Sequence, residues 1–90
     1  MKLKGEYILR EIAGDAVLIP TGQSALEFNG IIALNPISAD IWKWLQEGCG
    51  KEQILEHILE EYDVTKDVAL GDLNEFLEQL QQLNILDLSE

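Results

Sequence analysis

The sequence predicts an α+β fold of winged-helix-like type, with a three-stranded antiparallel sheet followed by three helices. Runs of β-forming residues alternate with turn signals in the first third of the chain, whereas apolar residues recur at helical spacing in the rest. The connections between these segments are short, as is usual for elements that share one core. Ninety residues with a hydrophobic content of 47% supply one core, so we predict a single domain over residues 1–90.

The first two strands are predicted to form a hairpin. Residues 7–12 and 16–19 are rich in β-formers, and residues 13–15 between them supply a tight turn. Pro20 ends the second strand, because proline cannot donate a hydrogen bond to a ladder.

The third strand is predicted at residues 31–34. Residues 21–24 have loop composition, residues 26–28 alternate in polarity as strand residues do, and residues 29–30 (Asn-Gly) are a turn signal. No helix is therefore expected before Asn35. A sheet this small is marginally stable alone, so helices must cover one of its faces.

The switch to helix falls at Asn35 and Pro36. An asparagine side chain can cap the helix, and proline suits the first helical position because its missing N–H needs no partner there. The apolar positions of this first helix are Ile37, Ile41, Trp44 and Leu45, and the glycine-rich residues 48–50 end it.

Two further helices complete the predicted fold. The second spans about residues 51–62, and the third spans about residues 66–83 with Thr65 as its cap. Asn84 is a suitable left-handed stop, after which residues 85–86 turn back towards the core.

The sequence also predicts how exposed three large side chains of the first two helices are. Trp42 and Trp44 lie two positions apart and so face different sides of a helix. We expect one to be buried and the other to form an exposed patch for an enzyme partner or a dimer contact. His57 is expected to be exposed among neighbouring glutamates.

The charge balance argues against anionic partners. The net charge is −11, from 17 acidic and 6 basic residues, and no base follows Lys66. Such a chain repels nucleic acid and anionic membranes, so neither is expected as a partner. The acidity is either a solvated face or an attraction for a basic partner. The single cysteine, Cys49, and the absence of a signal or apolar membrane span indicate a cytoplasmic location.

Catalytic and metal-binding constellations are missing from the sequence. Cys49 is the only thiol and His57 the only histidine, and the predicted turn and helix keep them apart. His57 and Glu61 alone are too few ligands for a metal. There is no phosphate loop, dinucleotide fingerprint or CxxC pair. We therefore predict a non-enzymatic protein without cofactor or metal.

Several segments carry a family resemblance when they are taken in order. They are YILREIAGD (7–15), FNGIIALN (28–35), ADIW (39–42), ILEEYDV (58–64), DL and FL (72–73 and 76–77) with Leu80, and NIL (84–86). Together they resemble the PqqD-like family, the peptide-recognition elements of ribosomal natural-product pathways. Two residues depart from the family pattern: Pro36 within the cap sequence, and Gly71 inside the third helix.

The resemblance implies a non-catalytic adaptor. It would bind the leader segment of a precursor peptide by strand addition and present it to a modifying enzyme, either a radical S-adenosylmethionine enzyme or a leader protease. The leader would lie along the third strand, in a groove walled by the third helix. The residues implied to bind it are Ile31, Ile32, Ala33, Leu34, Val68, Asp72, Leu73 and Phe76.

The residues themselves are compatible with that role, because an open sheet edge is a template for another strand. Period two places Ile32 and Leu34 on one face, which we expect to be the core. Core packing is the competing interpretation for the apolar residues of the third helix. Two other functions stay open: a winged-helix protein-interaction or transcription-regulator module without catalysis, and an oligomerisation module whose edge strand pairs with itself as a homodimer.

Overall fold

The three-stranded sheet and the three helices that follow it are present, so the predicted α+β class is confirmed. The computed structural model describes residues 1–27 and 30–87. Its elements are β1 (Lys2–Leu3), β2 (Tyr7–Ile12), β3 (Asp15–Pro20), α1 (Gly22–Glu27), β4 (Ile32–Leu34), α2 (Pro36–Gln46), α3 (Lys51–Glu61), α4 (Lys66–Gln82) and β5 (Leu86–Asp87). The antiparallel sheet has the order β2-β3-β4, and Leu18, Ile32 and Leu34 on one face join the helices in a single core.

The hairpin β2–β3 is closed by a two-residue loop, Ala13 and Gly14, between the paired residues Ile12 and Asp15. Both loop residues have positive φ, 53° and 87°. Positive φ at both positions is the geometry of a type I′ turn, whose twist matches that of the flanking strands. Gly14 adopts it without steric cost, which is why the turn falls where the sequence predicted it.

Helix α1 overturns the expectation that no helix precedes Asn35 and that residues 21–24 are loop. The cause is a contact across the chain. The buried Ser24 hydroxyl accepts the N–H of Glu6 at 2.7 Å, and the Thr21 N–H donates to the Glu6 carbonyl at 2.9 Å. Leu26 on this helix is exposed, so the sequence has no apolar stripe here that would predict a helix. The strand-like pattern predicted for residues 26–28 is wrong for residues 26 and 27, which are helical. Phe28 and Asn29 lie outside the described residues.

The two ends of the chain pair in a second, two-stranded sheet formed by β1 and β5. Asn84 has a φ of 62°, as expected of a left-handed helix stop, and Ile85 and Leu86 turn into the core. Lys4 donates its backbone N–H to the Ile85 carbonyl and its Nζ to Asn84 Oδ1, each at 2.6 Å.

The predicted helix boundaries are confirmed by their caps. Asn35 Oδ1 accepts the Ser38 N–H at 2.8 Å, and Thr65 Oγ1 accepts the Val68 N–H at 3.3 Å. Helix α3 begins after Gly50, which has no side chain to act as a cap. Its backbone N–H donates to Gln53 Oε1 at 3.0 Å, so this donor at the helix start has a partner. None of the described helices combines the length and the apolar character that a membrane span requires.

Both tryptophans are buried, so the expected exposed tryptophan is wrong. Trp42 is 2% exposed and Trp44 is 9% exposed. Helix α2 contacts α3, α4, β3 and β4, so more than one of its faces is covered. Tyr7 meets Trp42 edge to face with ring centroids 6.2 Å apart, and His57 stacks on Trp44 with centroids 5.0 Å apart. His57 is therefore half-buried rather than exposed, and there is no tryptophan patch for a partner.

Helices α2 and α3 are also joined by a hydrogen bond from the Tyr62 hydroxyl to Asp40 Oδ2 at 2.5 Å. Burial of the phenol, followed by this hydrogen bond and the negative charge of Asp40, raises the pKa of Tyr62 to about 12. The neutral phenol is thus favoured by folding.

This shift makes stability fall at high pH. Below pH 10 the contribution of Tyr62 is fully present, and it is lost as the pH rises from 10 towards 12, because the unfolded chain releases the proton first. Tyr62→Phe should remove this component of the pH dependence, and Asp40→Asn should move the tyrosinate absorbance step back towards pH 10. Ultraviolet titration combined with urea unfolding at each pH tests both. An unchanged step in Asp40→Asn would contradict the part of the shift assigned to Asp40 and leave burial as its cause.

Gly71 lies within α4 with negative φ, and a β-carbon built on it meets no atom within 4 Å. Glycine costs helix stability through its larger entropy in the unfolded state. Gly71→Ala should therefore raise the free energy of unfolding by about 0.5–1 kcal/mol, measured by urea denaturation. A loss of stability would show that the helix is strained at this position.

Candidate functional site

The direction of each hydrogen bond in the sheet follows from its register. Ile12 and Asp15 flank the two-residue turn and are a hydrogen-bonded pair, so the next such pair along the hairpin is Arg10 with Val17. Val17 therefore directs its N–H and C=O towards β2. The neighbouring residues Ala16 and Leu18 must direct theirs towards β4.

This alternation determines what the edge of β4 presents. Ala16 faces Leu34 and Leu18 faces Ile32, so both β4 partners turn their backbone groups towards β3. Ala33, opposite Val17, turns its N–H and C=O away from the sheet. In the described part of the chain no strand pairs with this side of β4, and no other backbone hydrogen bond involves Ala33. The edge thus offers one donor and one acceptor to an added strand.

An open cleft of about 120 Å³ lies beside that edge, between β4 and α4. Phe76 and Leu34, both almost fully buried, supply its apolar surface. The residues that line it are Ala33, Leu34, Asn35, Ser38, Asp72, Glu75, Phe76 and Gln79. A strand added at Ala33 would therefore run past the side chains of α4, which is the arrangement of a sheet edge with a helical wall.

The structure brings four of the eight predicted binding residues to this cleft: Ala33, Leu34, Asp72 and Phe76. Ile32 and Leu73 are 6% and 0% exposed, and their side chains belong to the core. Ile31 and Val68 are 58% and 50% exposed but do not line the cleft. The expectation that Ile32 and Leu34 point into the core agrees with their burial, and the assignment of all eight to a peptide site stays a prediction.

Four lining residues were not anticipated: Asn35, Ser38, Glu75 and Gln79. Glu75 and Gln79 follow Asp72 by three and seven positions, a spacing that puts all three on one face of a helix. That periodicity was the available signal for them. Ser38 lines the cleft because the cap formed by Asn35 sets the start of α2 beside β4.

The cleft is acidic. Asp72 and Glu75 line it and no lysine or arginine does. Neither carboxylate forms an ion pair with the described residues. The salt bridge in that part of the chain joins Lys43 to Asp40, with 3.9 Å between Nζ and Oδ1. An unneutralised pair of carboxylates disfavours an acidic ligand and favours a basic one.

A larger cleft of about 620 Å³ lies between the first residues of the chain and the end of α2. Lys2, Leu3, Trp42 and Gln46 are among the residues that line it. The strand at this position, β1, has only two residues, so it offers little edge for strand addition. Across residues 1–27 and 30–87, no group of three metal-ligating side chains converges.

Comparison with known proteins agrees with this geometry. The chain superposes with a TM-score of 0.76 on the solved structure "TbiB1 in Complex with the TbiA(beta) Leader Peptide", at 26% identity and over 100% of this chain and 99% of that one. Curated protein sequences give no match. The sequence profile of the family described as "Coenzyme PQQ synthesis protein D (PqqD)" matches residues 13–86. Since that match covers most of the chain, including β3, β4, the helices and the cleft between β4 and α4, the chain belongs to the PqqD family.

Proposed function

We propose that this protein binds the leader segment of a ribosomal precursor peptide as a strand added to β4 and presents it to a peptide-modifying enzyme. The observation that carries the proposal is the outward-turned N–H and C=O of Ala33 beside the cleft walled by α4. The likeness to a structure solved with a leader peptide over the full length of this chain supports the same ligand class.

The short length of β4 limits how the leader is held. Three residues form the strand, and only Ala33 has both backbone groups on the open side. Ile31 precedes the strand, and alternation would place its groups on the same side if the leader extends the pairing. Main-chain bonds thus set the register of the leader, and apolar contact with Phe76 and Leu34 adds affinity.

The modifying enzyme performs the chemistry in this proposal. The chain acts as a non-catalytic adaptor that needs no cofactor, and its partner is a radical S-adenosylmethionine enzyme or a leader protease in the cytoplasm. A homodimer that paired two β4 edges would occupy the groups that the leader needs, so we propose that the leader-bound form uses this edge for the leader alone.

Ala33→Pro tests the strand edge. Proline removes the outward N–H, while the bonds that hold β4 to β3 come from Ile32 and Leu34 and remain. Leader affinity should fall by about tenfold or more, as expected for the loss of a main-chain hydrogen bond together with poorer strand fit. Titration by fluorescence anisotropy measures the effect, with the leader of a precursor peptide identified by a search of the neighbouring genes.

The matched control for that substitution is Ala33→Val, which keeps the N–H and suits a strand. Circular dichroism establishes that both variants are folded. Equal affinity for wild type and a folded Ala33→Pro variant would remove the β4 edge from the mechanism.

Asp72→Lys tests the acidic wall of the cleft. A leader with a basic residue near α4 should lose about 1 kcal/mol of binding free energy, and the loss should shrink as salt increases. Glu56→Lys is the matched control, because it makes the same charge change at an exposed position of α3 outside the cleft. If both variants weaken binding equally, the effect is one of net charge and not of a contact at Asp72.

A further inference from the structure

The opposite edge of the sheet, β2, is also open and is longer than β4. It has six residues, and in the described residues it pairs with β3 alone. Arg10 and Ile12 use their backbone groups on β3, so Leu9 and Glu11 turn theirs outward. No additional backbone hydrogen bond of the described chain involves Leu9 or Glu11. This edge therefore offers two donors and two acceptors.

A helix stands beside this edge as one does at β4. A cleft of about 220 Å³ is lined by Leu9, Arg10, Glu11, Ala16, Ala39 and Lys43, and so lies between the hairpin and α2. Leu9, Ala16 and Ala39 give it an apolar surface. A second cleft of about 370 Å³ shares Glu11, Ala16, Ala39 and Lys43, so the two form a continuous surface.

The outward face of β2 carries a positively charged side chain between two exposed apolar ones. Ile8 and Ile12 are 41% and 52% exposed, and Arg10 lies between them on the same face. A strand added at this edge would place its own outward side chains beside these three residues.

The outward face of β2 differs in charge from the cleft at β4. The two clefts beside β2 are mixed in charge, because Arg10 and Lys43 line them together with Glu11, Asp15 and Asp40. On the outward face of β2, however, Arg10 is the one charged residue of the strand. Arg10 forms no ion pair with the described residues, and Lys43 is 3.9 Å from Asp40 in an exposed pair that is worth little. A chain with a net charge of −11 thus carries, on the outward face of this edge strand, a cation without an ion-pair partner among the described residues.

We propose that the β2 edge is a second strand-addition site, which docks an extended acidic segment of a protein partner while β4 holds the leader. The carboxylate of that segment faces Arg10, and its apolar side chains face inward over Leu9 and Ala39. A second copy of this chain is a poorer occupant. Its own β2 presents Ile8, Arg10 and Ile12 outward, with no carboxylate among them, and it adds another charge of −11.

The site can be tested with two blocked peptides, Thr-Val-Glu-Val-Glu-Val-Thr and its counterpart with lysine in place of both glutamates. Their alternation presents valines on one face and charges on the other. Addition of the acidic peptide to labelled protein should shift the amide resonances of Leu9 and Glu11 and leave that of Ala33 in place. The lysine peptide should bind at least about tenfold more weakly, since its lysines face Arg10 with like charge.

Two variants separate the edge from the charge. Glu11→Pro removes an outward N–H without touching the ladder to β3 and should weaken the acidic peptide about tenfold, whereas Glu11→Ala, which keeps that N–H, should not. Arg10→Glu should reverse the preference between the two peptides. If Glu11→Pro does not fold, this variant still tests the site through the charge of its ligand.

Several outcomes would overturn the proposal: no shift at Leu9 and Glu11 at millimolar peptide, an equal response to both peptides, shifts confined to Ala33, or pairing of two copies through β2. Leader binding measured on the same variants keeps this test apart from the proposed function. Loss of leader binding with the β2 response intact would count against the β4 site alone.

Discussion

The alternation of hydrogen bonds along β3 is the constraint on which both edges of the sheet depend. Val17 directs its backbone groups to β2, and Ala16 and Leu18 direct theirs to β4. Once that direction is set by the two-residue turn, Ala33 must present free groups on one side and Leu9 on the other. A turn longer by one residue would shift this register and change which groups are free.

The side chains beside the two edges differ. Helix α4 brings carboxylates to the edge of β4, whereas the outward face of β2 carries Arg10 between two exposed isoleucines. Main-chain hydrogen bonding is nearly independent of sequence, so discrimination between partners must come from these neighbouring side chains. Under the proposals made above, the carboxylates of α4 and Arg10 of β2 would keep the two ligands from exchanging places.

Helix α2 adjoins both clefts. Asn35 and Ser38 lie at the cleft beside β4, and Ala39 and Lys43 lie at the cleft beside β2. The helix is held by buried Trp42 and Trp44, the second stacked on His57, and by the bond between Tyr62 and Asp40. Such packing leaves the helix little freedom to move, so the clefts are preformed surfaces. One buried donor in this helix is unsatisfied: the indole N–H of Trp42 has no acceptor among the described residues.

The sequence by itself determined the features that arise from neighbouring residues. The Ala13-Gly14 turn, the caps at Asn35 and Thr65, the left-handed stop at Asn84 and the inward side of Ile32 and Leu34 follow from local backbone chemistry and periodicity. They were enough to predict the order of the main elements, whereas the four residues of the cleft that were anticipated came from the family resemblance.

The tertiary structure alone decided the features that require contacts between distant residues. Helix α1 depends on Glu6, the pairing of β1 with β5 joins opposite ends of the chain, and the burial of Trp44 depends on α3. The alternation of polarity identified the faces of β4, but only its register against β3 decided that the N–H of Ala33 points out of the sheet. A side-chain pattern reports which face is apolar, whereas the direction of an N–H within the plane of the sheet depends on the partner strand.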